Sequence, residues 1–60
     1  MTNIEMYIHL ERCKREVRRR KVFDLKLLTP IEEALNHLWY MLLDRNEQSE
    51  LLLRMKKEGL

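Results

Sequence analysis

A single proline at position 30 and a single glycine at position 59 are the only strong breakers in this chain of 60 residues. A chain with so little punctuation can only be built from long, uninterrupted elements. Gly and Pro are what turns and loops require, and β architectures use them at every reversal. The expectation is an all-α fold. The position of the proline sharpens it. Thr29-Pro30-Ile31-Glu32 reads as a helix start, with Thr29 as N-cap, Pro30 in the first helical position and Glu32 completing a capping box. Because proline disfavours helical geometry in the residue before it, Leu28 and Thr29 are predicted to lie outside the helix. The chain is thereby divided into helix 3–21, connector 22–29 and helix 30–57, together one small domain, 1–60.

The first half supports this division. Thr2 or Asn3 can cap a helix, and Glu5 lies in the first turn, where the helix dipole favours an acid. Met6, Leu10, Cys13 and Val17 recur at helical spacing and predict one buried stripe. Glu11–Arg15 and Glu16–Arg20 are i,i+4 pairs in the favourable order.

In the second half, Ile31, Leu35, Leu38 and Leu42 form the expected stripe, with Ala34 and Met41 beside it. Leu38-Trp39-Tyr40-Met41-Leu42-Leu43 is then apolar at every position. A helix with one buried face has no use for six consecutive apolar residues, so part of this run is expected to meet a second protein surface. Asp44–Glu50 is polar throughout, and a break or a new cap near Asn46 is an open alternative to one continuous helix. Lys56, Lys57 and Gly59 read as a helix end.

Length limits what such a chain can bury. A domain of this size hides only about 60% of its unfolded surface. Small domains compensate with disulfides, a metal or oligomerisation. Cys13 is the only cysteine and makes no internal bridge. A lone thiol suits a reducing compartment. His9–Cys13 and Glu33–His37 are i,i+4 pairs, but each offers two ligands where a zinc site wants three or four. No cofactor or metal is therefore expected, and no enzyme. The single Gly cannot build a phosphate loop, and the Cys–His pair has no third orienting group. The N-terminus does not read as a signal peptide, and no apolar run approaches membrane-spanning length, so a cytoplasmic location is expected.

Oligomerisation remains. The expected architecture is a helical hairpin of two long helices, paired into a homodimeric small helical bundle. Leu35, Leu38, Trp39, Leu42 and Leu52 are the predicted interface residues. The functional expectation is a small non-catalytic regulatory protein that acts by protein–protein binding. Judged by gene size alone, a phage or mobile-element accessory protein fits.

Charge suggests the alternative. The formal net charge is +2, but residues 1–21 carry +4 and residues 22–60 carry −2. Seven of the ten residues from Arg12 to Lys21 are basic. On a helix, Lys14, Arg18 and Lys21 line one side, and Arg12, Arg15 and Arg19 another. An arginine-rich helix can follow phosphates in a groove, which would make the chain a nucleic-acid-binding regulator.

Val22–Leu28 (VFDLKLL) also alternates as a strand does. With the capped helix TPIEEALNHLWYMLL, the polar turn DRNEQ and a second helix opening Ser49-Glu50-Leu51, residues 22–60 resemble the ribbon–helix–helix DNA-binding family. The resemblance implies a dimer whose strands at 22–28 pair, with Asp24 and Lys26 reading DNA and Ser49 binding phosphate at a helix start. This is the runner-up fold.

Overall fold

The computed structural model describes residues 1–20 and 25–60. They form three α-helices: α1 (Asn3–Arg19), α2 (Leu25–His37) and α3 (Arg45–Lys57), with a π-helical turn at Leu38–Leu42 between the last two. The all-α expectation holds, and no strand occurs among the described residues. The three helices pack together, with α1 against α2, the π turn and α3.

α1 begins as its sequence predicts. The Thr2 hydroxyl accepts a hydrogen bond from the Glu5 N–H at 3.1 Å, satisfying one of the free donors of the first turn. Its buried face differs from the expected stripe. Ile4, Ile8 and Val17 are buried, Leu10 and Cys13 are half-buried, and Met6 is exposed. The reason is that α1 serves two neighbours. Ile4 and Ile8 share a face and join Leu43 and Leu51 in one core cluster. Val17, nine residues after Ile8, stands about half a turn out of phase. The stripe from Met6 to Val17 is thus buried only at its C-terminal end.

α2 departs from expectation at its start. It begins at Leu25 and runs straight through Thr29 and Pro30. The predicted cap at Thr29 is not used, and residues 25–29 of the expected connector are helical. Leu28 explains this. It is only 2% exposed, and Leu28, Ile31, Leu35 and Leu38 are spaced three, four and three. Extending the helix backwards by more than a turn places Leu28 in line with the residues that bury α2. Burying a large aliphatic side chain is worth about 1.5–3 kcal/mol, enough to offset much of a helical proline's cost of about 3 kcal/mol. The same finding overturns the strand at 22–28, since Leu25–Leu28 are helical; residues 22–24 lie outside the described residues.

The expected second helix, 30–57, is two helices. At Leu38–Leu42 the backbone widens to i→i+5 pairing, and the Leu43 N–H donates to the Leu38 carbonyl at 2.9 Å. The wider turn delays the phase by one residue. Leu43, rather than the expected Leu42, comes over Leu38 and is buried. Leu43 and Asp44 are then extended, and Asp44 caps α3. The Asp44 carboxylate accepts from the Glu47 N–H at 2.8 Å, and the Glu47 carboxylate accepts from the Asp44 N–H at 3.2 Å. This is a complete capping box, two residues before the alternative cap considered at Asn46. Gln48 finishes the joint by donating its side-chain N–H to the Trp39 carbonyl at 2.7 Å.

Phase also explains why a break is needed. On one uninterrupted helix, Leu38 and Leu51 would point about 140° apart. The joint turns Leu51 back toward α1, where it is fully buried with Ile4, Ile8 and Leu43, bordered by Tyr7, Trp39, Met55 and Leu60. α3 ends in a Schellman motif. The Leu60 N–H donates to Met55 O at 2.8 Å and the Gly59 N–H to Lys56 O at 3.3 Å. Gly59 sits at φ 73°, where a side chain would be strained.

Candidate functional site

The five predicted interface residues separate into two groups. Leu35 and Leu38 are buried inside the single chain, and Trp39 is half-buried against its core. Leu42 and Leu52 are exposed. Besides Met1, Met6, Leu25 and Leu27, which are exposed elsewhere in the sequence, three more large apolar residues adjoin them in the sequence and are exposed: Tyr40, Met41 and Leu53. The signal for the first two was the unbroken apolar run itself. For Leu53 it was the Leu51–Leu53 triplet, of which one helix face can bury only part.

Of these exposed residues, Tyr40 and Leu52 line a groove of about 300 Å³ together with Tyr7, Asn36, Trp39 and Met55. Its floor is aromatic. The Tyr7 and Trp39 rings lie 6.0 Å apart at 52°, within the tilted geometry that aromatic pairs favour. Burial pushes the Tyr7 phenol above its ordinary pKa, and the nearby Glu11 and then Tyr40 push the same way. Tyr7 therefore stays neutral across physiological pH, and the groove offers an apolar body with a phenolic O–H donor. Exposed apolar side chains beside a groove of mixed polar and apolar lining suit a protein interface, where Tyr, Trp and Met are enriched.

The basic run has a different fate. Arg12 pairs with Glu58, which Arg54 also reaches at 3.6 Å. Arg15 Nη1 donates to the Gly59 carbonyl at 3.0 Å. Both arginines thus sit at the C-terminal end of α3, where the helix dipole favours a cation. Arg18 lies 3.5 Å from Glu32 of α2, and Arg19 lies 3.5 Å from Glu16. Lys14 is half-buried in a polar groove with Glu11 and Glu32. Lys21 lies outside the described residues. These pairs are solvent-exposed, so each contributes only about 0–1 kcal/mol. Their effect is to join α1 to both other helices and to offset local positive charge.

The readers implied by the ribbon–helix–helix resemblance are not assembled. Lys26 is helical, Ser49 is inside α3 rather than at its start, and Asp24 lies outside the described residues. His9 Nε2 stands 3.8 Å from Cys13 Sγ. Among the described residues, no group of three or more His, Cys, Asp and Glu side chains is placed to hold a metal ion, and no helix is long and apolar enough to cross a membrane.

Compared with protein-family models, curated proteins and solved structures, the chain finds no match in any of the three.

Proposed function

We propose that this chain is a non-catalytic interaction protein that acts by protein–protein binding, with a second copy of itself as a partner. The observation that carries the reading is the exposure of Tyr40, Met41, Leu42, Leu52 and Leu53 in a chain too short to spare them. Standard interfaces carry an apolar centre with a polar rim. Here Asn36 and Arg45, both exposed, provide polar groups in the same part of the chain.

Light scattering and sedimentation across the micromolar range test the proposal. The expected result is a dimer, which Met41→Asp converts to a folded monomer. A wild-type chain that is monomeric throughout that range contradicts it.

A second reading, a nucleic-acid-binding regulator, rests on the end of α1, where Arg18, Arg19 and Arg20 are exposed. The pairing of Arg12, Arg15, Arg18 and Arg19 within the chain leaves it the weaker of the two. A mobility-shift assay at two salt concentrations decides it. Phosphate-driven binding weakens steeply with salt, and absence of any shift at low salt removes this reading.

A further inference from the structure

The single chain explains only part of its apolar run. Leu38 and Leu43 are buried and Trp39 packs on the core, but Tyr40 and Met41 are each 74% exposed. A helical segment that is apolar all round is normally surrounded by protein. The flanking stripes add a second observation. On one continuous helix, Leu35 and Leu38 would face one direction and Leu51 and Met55 a direction well over a right angle away. A straightened helix would thus present two separate stripes to two separate neighbours. The joint supplies a third. It consists of the π turn and two extended residues, Leu43 and Asp44. In an α-helical joint the Leu43 N–H would turn from Leu38 O to Trp39 O, and the Leu42 N–H would donate to Leu38 O. Gln48, which now serves Trp39 O, would be released. The Leu43 N–H and the Leu38 and Trp39 carbonyls therefore have partners in both arrangements.

We infer that the chain dimerises by exchanging α3. The joint straightens, α2 and α3 become one helix, and α3 docks on α1 of a second copy. It does so through the contacts it makes within one chain: Leu51 and Met55 with Ile4 and Ile8, Glu58 with Arg12, and the Gly59 carbonyl with Arg15. Such an exchange changes only the hinge and the new surface where two hinges meet, which makes it an accessible route to a dimer. Tyr40, Met41 and Leu42 lie in that new surface. The inference rests on the self-association proposed above and specifies its form.

The test uses the full chain with Cys13→Ala, carrying Arg12→Cys and Glu58→Cys together, oxidised at a concentration where light scattering shows the dimer. Denaturing, non-reducing mass analysis then reads the linkage. The exchanged form gives covalent dimers. A bridge within one chain, at monomer mass, in a dimeric sample overturns the exchange while leaving self-association intact. A monomeric sample overturns both. A second variant, with two glycines inserted after Leu43, covers the case in which no bridge forms. A lengthened joint relieves the drive to exchange. Its expected result is a shift of the population to folded monomer, and an undiminished dimer overturns the inference.

Discussion

Two segments of this chain carry the same helix-start signature and meet opposite fates. Thr29-Pro30-Ile31-Glu32 has a capping residue, a proline in the favoured place and an acid at the third helical position, yet α2 runs through it. Asp44-Arg45-Asn46-Glu47 has the plainer version and forms the complete capping box. The difference lies in the phase of the apolar residues on either side. Upstream of Pro30, Leu28 continues the line of Ile31, Leu35 and Leu38, so a longer helix buries more. Across Asp44 the line does not continue: Leu51 would point away from Leu38 on an unbroken helix. A capping motif nominates a helix start, and the continuity of the buried stripe decides whether it is used.

The comparison can be broken most forcefully at the residues that set the phase. Leu51→Ala leaves a cavity at the one side chain fully buried among the described residues and is expected to cost about 2–5 kcal/mol. Leu28→Ala should cost a similar amount. Chemical denaturation measures both, and a negligible effect at Leu28 would remove the stated reason for the long α2. Pro30→Ala comes next. If Pro30 lies in a helix interior, its removal stabilises by about 2 kcal/mol after allowance for the freer unfolded chain. If Pro30 instead opened a helix, the change would be close to neutral or unfavourable.

The caps give a smaller and sharper contrast. Asp44→Ala is expected to lower stability by about 0.5–2 kcal/mol, whereas Thr29→Ala should be neutral or gain a few tenths. Equal losses at the two sites would mean that both boxes form. The smallest effect concerns the groove. The folded chain holds the Tyr7 proton to higher pH than the unfolded chain does, first because of burial and then because of Glu11 and Tyr40. The unfolded chain therefore ionises first as pH rises. Stability from this residue is complete below the ordinary tyrosine pKa of about 10 and is lost as pH rises through the higher folded value. Thermal melting from about pH 8 to about pH 11 should decline less steeply for Tyr7→Phe than for the wild type.

Much of this molecule was legible from local chemistry. Thr2 caps α1, Gly59 ends α3, and the shortage of Gly and Pro gave an all-α chain. What escaped were features that depend on which residues meet across the fold. The N-terminus offers Ile4, Met6 and Ile8 to two possible faces, and only the arrival of Leu43 and Leu51 selects the isoleucines. The π turn was hidden because a 3.6-residue period assigns Leu42 to the stripe, while i→i+5 pairing brings Leu43 there instead. The same slip explains the candidate interface. Leu42 and Leu52 do lie at the surface, but Leu35 and Leu38 were needed inside a single copy, and Tyr40, Met41 and Leu53 take the outward positions. The basic run of α1 was legible as charge, but its partners across the fold, Glu58, Glu32 and the Gly59 carbonyl, depend on where α2 and α3 pack.

The claim that stripe phase divides the second half of the single chain is tested most directly by backbone carbon chemical shifts from His37 to Gln48 in a sample that light scattering shows to be monomeric. The account predicts helical values up to Leu42, extended values at Leu43 and Asp44, and helical values again from Arg45. Uninterrupted helical values across Leu43 and Asp44 would contradict it.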